Sequence, residues 1–164
     1  MITEPKFVER SEQPFMAIRT QLRLGEMGSA PQFHGEVAAW LKAHGMAPAG
    51  APFIRYCVIN IADRMDLEFG FPVAAALEGD GRVTAGVVPS GRYATITYFG
   101  HYENLMEANR VLVEWAKENG VEWDRWDDPN GDAFAGRFEF YPNDPGEVPD
   151  PEEWETEVTI KVAD

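Results

Sequence analysis

The chain has 164 residues, 45% of them hydrophobic, which suffices for one well-filled core and falls short of two, so residues 1–164 read as a single domain. Its 28 acidic against 14 scattered basic residues leave a formal charge of −14, which would repel a phosphate backbone; direct nucleic-acid binding is not expected. No apolar run reaches the length of a signal peptide or a membrane span, so the expectation is a soluble, cytoplasmic protein that does not engage a membrane.

In chain order, Phe15 to Leu24 is strand-like, and Ser29 to His44 has helical spacing with Phe33, Val37, Trp40 and Leu41 on one face. Ser29 and Pro31 start that helix, and Gly45 with Pro48 stops it. Phe53 to Ile61 and Leu67 to Ala75 follow as strands, then Val83 to Val88 as an extra strand bridging two halves. The single cysteine, Cys57, lies among Tyr56, Val58 and Ile59 and reads as a buried thiol acting as a small hydrophobe.

The same order then returns. Arg92 to Phe99 is a strand, Tyr102 to Asn119 a helix with Leu105, Ala108, Leu112 and Trp115 on one stripe, and Gly120 closes it. Gly120 to Asp132 reads as a loop carrying Trp123 and Trp126, either a lid or rings half packed on the sheet. Ala133 to Tyr141 and Trp154 to Val162 are the last strands, separated by an irregular proline-rich connection from Pro142 to Pro151.

The two helices end alike, Trp40-Leu41-Lys42-Ala43-His44-Gly45 against Trp115-Ala116-Lys117-Glu118-Asn119-Gly120, with Trp, Lys and Gly each displaced by 75 positions. The fold class is therefore α+β: a pseudo-twofold duplication of a strand-helix-strand-strand unit, with repeats about 6–80 and 82–164. Neither half-sheet can cover both its faces alone. The halves should pair through antiparallel sheets, with the two helices on one side and a central groove where they meet.

Within the groove strands, Glu139 sits between Phe138 and Phe140, where a carboxylate is costly to bury without a partner. On the residues alone it reads as a solvent-facing strand residue paired with Arg137. Tyr141 shares its face, because strand side chains alternate. Trp40 and Trp115 read as core. His34, His44 and His101 lack metal-ligand spacing and partners, so no metal site is expected, and haem or another cofactor has no evident ligand set.

The strings Gly91-Arg92-Tyr93-Ala94, Tyr98-Phe99-Gly100-His101-Tyr102-Glu103-Asn104-Leu105, Glu139-Phe140-Tyr141-Pro142-Asn143-Asp144-Pro145 and Pro151-Glu152-Glu153-Trp154-Glu155-Thr156-Glu157 together resemble the GyrI-like small-molecule-binding family. That family shares its fold with SOUL haem-binding proteins and with the effector-binding half of multidrug-responsive bacterial regulators. The resemblance implies a ligand in the central groove, a buried acidic residue matching Glu139, and aromatic walls matching Tyr102 and Trp154. Tyr56, Tyr141, Phe99 and Trp123 complete the candidate contacts.

The implied function is capture of a small hydrophobic, cationic or planar polycyclic compound. The resemblance also implies two alternatives. One is hydrolysis of strained, cyclopropane-containing DNA-alkylating natural products, with Glu139 as the acid-base group and Tyr102 or Tyr141 assisting. The other is a protein partner, as for a gyrase-inhibitor-like module.

Overall fold

A computed structural model describes residues 1–164. Ten strands, β1 (Lys6–Arg10), β2 (Gln13–Leu22), β3 (Phe53–Ile59), β4 (Met65–Pro72), β5 (Val83–Val88), β6 (Gly91–Phe99), β7 (Arg125–Asp128), β8 (Gly131–Phe134), β9 (Arg137–Phe140) and β10 (Glu155–Lys161), accompany two helices, α1 (Ala30–Ala43) and α2 (Leu105–Glu118). The protein is α+β, with one antiparallel sheet curled into a half-barrel.

The strand order β1-β6-β10-β9-β3-β4-β2-β5 makes the duplication visible. From either edge inward the pattern is the same: a leading strand, the strand before the helix, the last strand of the unit, and the strand after the helix. The halves join at β3 and β9, where Ile54 pairs with Glu139. Each leading strand has crossed over, β1 lying on β6 and β5 on β2. Val83–Val88 therefore is an edge strand of the first half's sheet, and β3–β9 pairing, not β5, joins the two half-sheets.

The helices form where their apolar stripes dictate. Val37 and Leu41 of α1 are buried with Met16, Ile18, Val73 and Val83, flanked by Phe33 and Trp40. Ala108 and Leu112 of α2 are buried with Ala94, Ile96, Val158 and Ile160, flanked by Leu105 and Trp115. Each fully buried valine, leucine, isoleucine or methionine among these contributes about 1.5–3 kcal/mol. Trp40 and Trp115 lie at the margins of these clusters, only partly buried, and Trp40 Nε1 donates to Asp80. Both helices stop at a glycine in the left-handed region, Gly45 at φ +70° and Gly120 at φ +67°. α1 packs on β2 and β4, and α2 on β6; the register aligns Ile18, Phe69, Ile54, Glu139, Val158 and Ile96 in one row across the sheet, with Ile18 under α1 and Val158 and Ile96 under α2, so both helices lie on one face.

Two expected elements differ. The Gly120 to Asp132 loop contains β7 and the start of β8, a hairpin pinned by Arg125 bonding both Asp127 and Asp132. The single strand from Ala133 to Tyr141 is broken at Ala135-Gly136, whose carbonyls accept from Arg55 Nη2 at 2.8 Å and from Lys161 N at 2.7 Å. Those bonds turn the chain from β8, beside the end of β3, to β9, beside its start. Cys57 is buried at a bulge in β3, and burial pushes its thiol up to about 12.

Candidate functional site

With both helices on one face and the half-sheets joined at β3–β9, the space between the helices lies over the seam. A cavity of about 1300 Å³ occupies it. Its floor is Ile54 and Tyr56 from β3 with Arg137 and Glu139 from β9. One wall is the first turns of α1, including His34, and the other is Tyr102 with the first two turns of α2. The connection from Pro142 to Glu147 closes one end.

Glu139 is 3% exposed, so the solvent-facing alternative is overturned: helices and loop cover the strand face it occupies. Its Oε1 accepts hydrogen bonds from Tyr56 at 2.7 Å and Tyr141 at 2.8 Å, and its Oε2 accepts one from Asn109 Nδ2 at 2.9 Å. All three donors are neutral. Arg137 shares the face, as alternation requires, yet forms no ion pair with Glu139; the Asn109 amide stands between, its Oδ1 accepting from Arg137 Nη2 at 3.3 Å. Burial, reinforced by the Glu139 charge, holds the hydroxyls of Tyr56 and Tyr141 well above their ordinary pKa.

Of the residues expected from sequence, Tyr56, Tyr102, Glu139 and Tyr141 line the cavity. Trp154 stands one layer back. Its ring lies 5.1 Å from that of Tyr102, which in turn lies 5.5 Å from Tyr141, and its Nε1 is tied to the Val148 carbonyl. Phe99 ends β6, paired with Glu155, and does not reach the cavity. Trp123 packs on the α2 side of the core and bridges Val162, while Trp126 is exposed on β7; neither covers the cavity as a lid.

Among the lining residues that the sequence reading did not place at the site are Asn109 and His34. Asn109 falls on the apolar stripe of α2, four residues after Leu105 and three before Leu112, and a polar residue there is the signal. His34 lies on α1 facing Phe69, Phe71 and Tyr141, its Nε2 2.8 Å from the Phe53 carbonyl oxygen. Burial lowers its pKa.

Residues 3–163 match the family described as GyrI-like small molecule binding domain, and the chain belongs to that family. Among solved structures it is similar to EcmrR. The match is at TM-score 0.81 and 20% identity to the chain in an EcmrR–DNA complex, and at TM-score 0.78 and 19% identity to the EcmrR C-terminal domain. It covers 97% of this chain and 57% of the EcmrR chain in the DNA complex, and 98% of this chain and 97% of the C-terminal domain. It is also similar to SAV2435 in a structure bound to tetraphenylphosphonium, at TM-score 0.63 and 11% identity over 98% of this chain and 94% of that one. A Listeria innocua protein described as a hydrolase matches at TM-score 0.65 and 14% identity, over 98% and 92%. No curated protein sequence is significantly similar. No helix is long and apolar enough to cross a membrane.

Proposed function

We propose that this small-molecule-binding domain captures lipophilic aromatic cations, with Glu139 as the counter-charge and Tyr56, Tyr102 and Tyr141 as the surrounding rings. The observation that carries the reading is the buried Glu139 carboxylate held by neutral donors alone. Hydroxyls and an amide satisfy its lone pairs without cancelling its charge, which stays available to a cation that sheds water easily. Aromatic faces add about 0.5–2 kcal/mol each and tolerate varied shapes. The relative seen with tetraphenylphosphonium supports this class of ligand. The chain's net charge of −14 favours approach of cations and disfavours direct contact with nucleic acid.

Calorimetric titration with tetraphenylphosphonium tests it. Native protein binds, and Glu139→Gln binds at least about tenfold more weakly. Equal binding by the two proteins removes Glu139 from the role.

A second reading uses the same groups for chemistry, and the direct hydrogen bond between Tyr141 and Glu139, along which a proton can pass, favours it, as does the relative described as a hydrolase. In it, Glu139 takes a proton from water as the water oxygen bonds to a carbon of a strained cyclopropane. The opening C–C bond leaves its electrons on the substrate, which takes a proton from Tyr102 or Tyr141, and Glu139 passes the proton it took from water back to that phenolate, directly along its hydrogen bond in the case of Tyr141, so both groups are restored. Mass spectrometry of the incubated compound distinguishes the readings: a gain of one water is turnover, and an unchanged compound is binding alone.

A further inference from the structure

The cavity holds a second charged group that cation capture does not use. Arg137, two residues before Glu139 on β9, lines the same cavity. A guanidinium has five N–H donors, no acceptor, and stays charged in proteins. Arg137 makes one hydrogen bond within the protein, the long one to Asn109, and its enclosed Nε has no partner. The Phe134 ring, 4.7 Å from Cζ, fixes the guanidinium plane on one side. Arg137 is half-buried, and the Nε atoms of Arg10 and Arg55 are enclosed and unpaired as well, but of the three arginines only Arg137 lines the cavity, which puts its unused donors within a ligand's reach.

Asn109 is what keeps the two charges separate. Its amide also donates to the Leu105 carbonyl at 2.8 Å, which fixes it on α2, and it accepts from Arg137 while donating to Glu139. A direct Arg137–Glu139 pair would neutralise both groups. With the amide between them, one cavity presents a cationic and an anionic corner side by side.

We propose that Arg137 determines specificity by recognising a carboxylate on the ligand, so that the preferred compounds are zwitterionic aromatics whose cationic rings face Glu139. This rests on the cavity being a site for aromatic cations. Arginine pairs with carboxylate through two parallel N–H···O bonds, and a site built for that pairing discriminates against an analogue without the group, because the donors then stay unpaired.

The test uses two xanthylium dyes, one bearing a free benzoate and the other its methyl ester, which keeps the cation and loses the carboxylate. Fluorescence anisotropy with native protein is expected to show the benzoate dye binding about tenfold tighter than the ester. Arg137→Met removes the preference by weakening the benzoate dye alone, and Arg137→Gln provides a second variant that keeps some donors. Glu139→Gln weakens both dyes. The native preference needs no variant, so a poorly folded Arg137→Met does not spare the inference. Equal binding of the dyes by native protein overturns the role of Arg137 and leaves cation capture standing. Binding of neither dye overturns both.

Discussion

Tyr56 and Tyr141 donate to the same carboxylate oxygen, Glu139 Oε1, although they come from different halves of the duplicated chain. The seam register explains the convergence. Ile54 pairs with Glu139 across β3–β9, and each tyrosine lies two residues further along the chain, Tyr56 within β3 and Tyr141 just past the end of β9, where its N–H donates to the Pro52 carbonyl, so a local twofold relates the two positions. That symmetry is broken at its centre, where one half contributes an isoleucine and the other a carboxylate. Two carboxylates facing each other across the seam would repel, and one can be served by donors from both sides.

Removing either hydroxyl should therefore expose an unmet demand at the carboxylate. Tyr56→Phe and Tyr141→Phe are each expected to lower stability by about 1–3 kcal/mol in urea unfolding. In a Glu139→Gln background the cost of each should shrink, because the amide needs fewer donors. A double-mutant cycle showing no coupling would count against the shared-acceptor geometry.

At high pH the same tyrosines govern stability. Burial and the Glu139 charge hold both hydroxyls well above their ordinary value of 10.0, and burial pushes Tyr93 up to about 12. Unfolded tyrosines ionise near 10.0 while these stay protonated, so this contribution to stability is complete below that pH and is lost as pH rises beyond it. Phenolate absorbance for these residues should appear together with the loss of tertiary circular dichroism. Smooth ionisation of all five tyrosines near 10.0 in folded protein would contradict it.

Much of the fold was legible because both helices carry complete apolar stripes and end on matching Trp-Lys-Gly patterns. Strand alternation likewise put Glu139 and Tyr141 on one face. The β7–β8 hairpin was not legible. Arg125-Trp126-Asp127-Asp128 has no apolar alternation, because β7 buries no face of its own and is held on β8 by backbone pairing and by Arg125 with its two aspartates, while β8 carries the buried Ala133 and Phe134. Asn109 and His34 were hidden differently, since their role depends on the space between two helices, a relationship that periodicity along one segment does not encode. Trp154, expected as a wall of the groove, stands one ring behind the cavity lining, because Tyr102 is in front of it.

Two glycines separate close approach from simple flexibility. Gly70 of β4 lies opposite Ala17 of β2, and a Cβ there would meet the Met16 carbonyl oxygen at 2.4 Å and Ala17 Cβ at 2.7 Å. Gly70→Ala should destabilise by about 1–3 kcal/mol, by forcing β2 away from β4. Gly35 within α1 has nothing near its Cβ direction, so Gly35→Ala should stabilise by about 0.5–1 kcal/mol through helix propensity. Opposite shifts of the urea midpoint are expected, and shifts of one sign would refute the packing of β2 on β4.

Acid should weaken both the fold and the proposed capture of cations through His34. Burial lowers its pKa from 6.5, so the unfolded chain binds a proton that the native chain resists; this contribution is present above 6.5 and is lost as pH falls below it. The ring also faces the cavity beside Tyr141, so a proton forced onto it places a cation where a cationic ligand would sit. Tetraphenylphosphonium affinity, measured between about pH 7.5 and about pH 5, should fall for native protein and fall less for His34→Gln. Urea midpoints of the same pair should diverge in the same direction. If native protein and His34→Gln lose affinity in parallel, His34 is not the titrating group at the cavity wall.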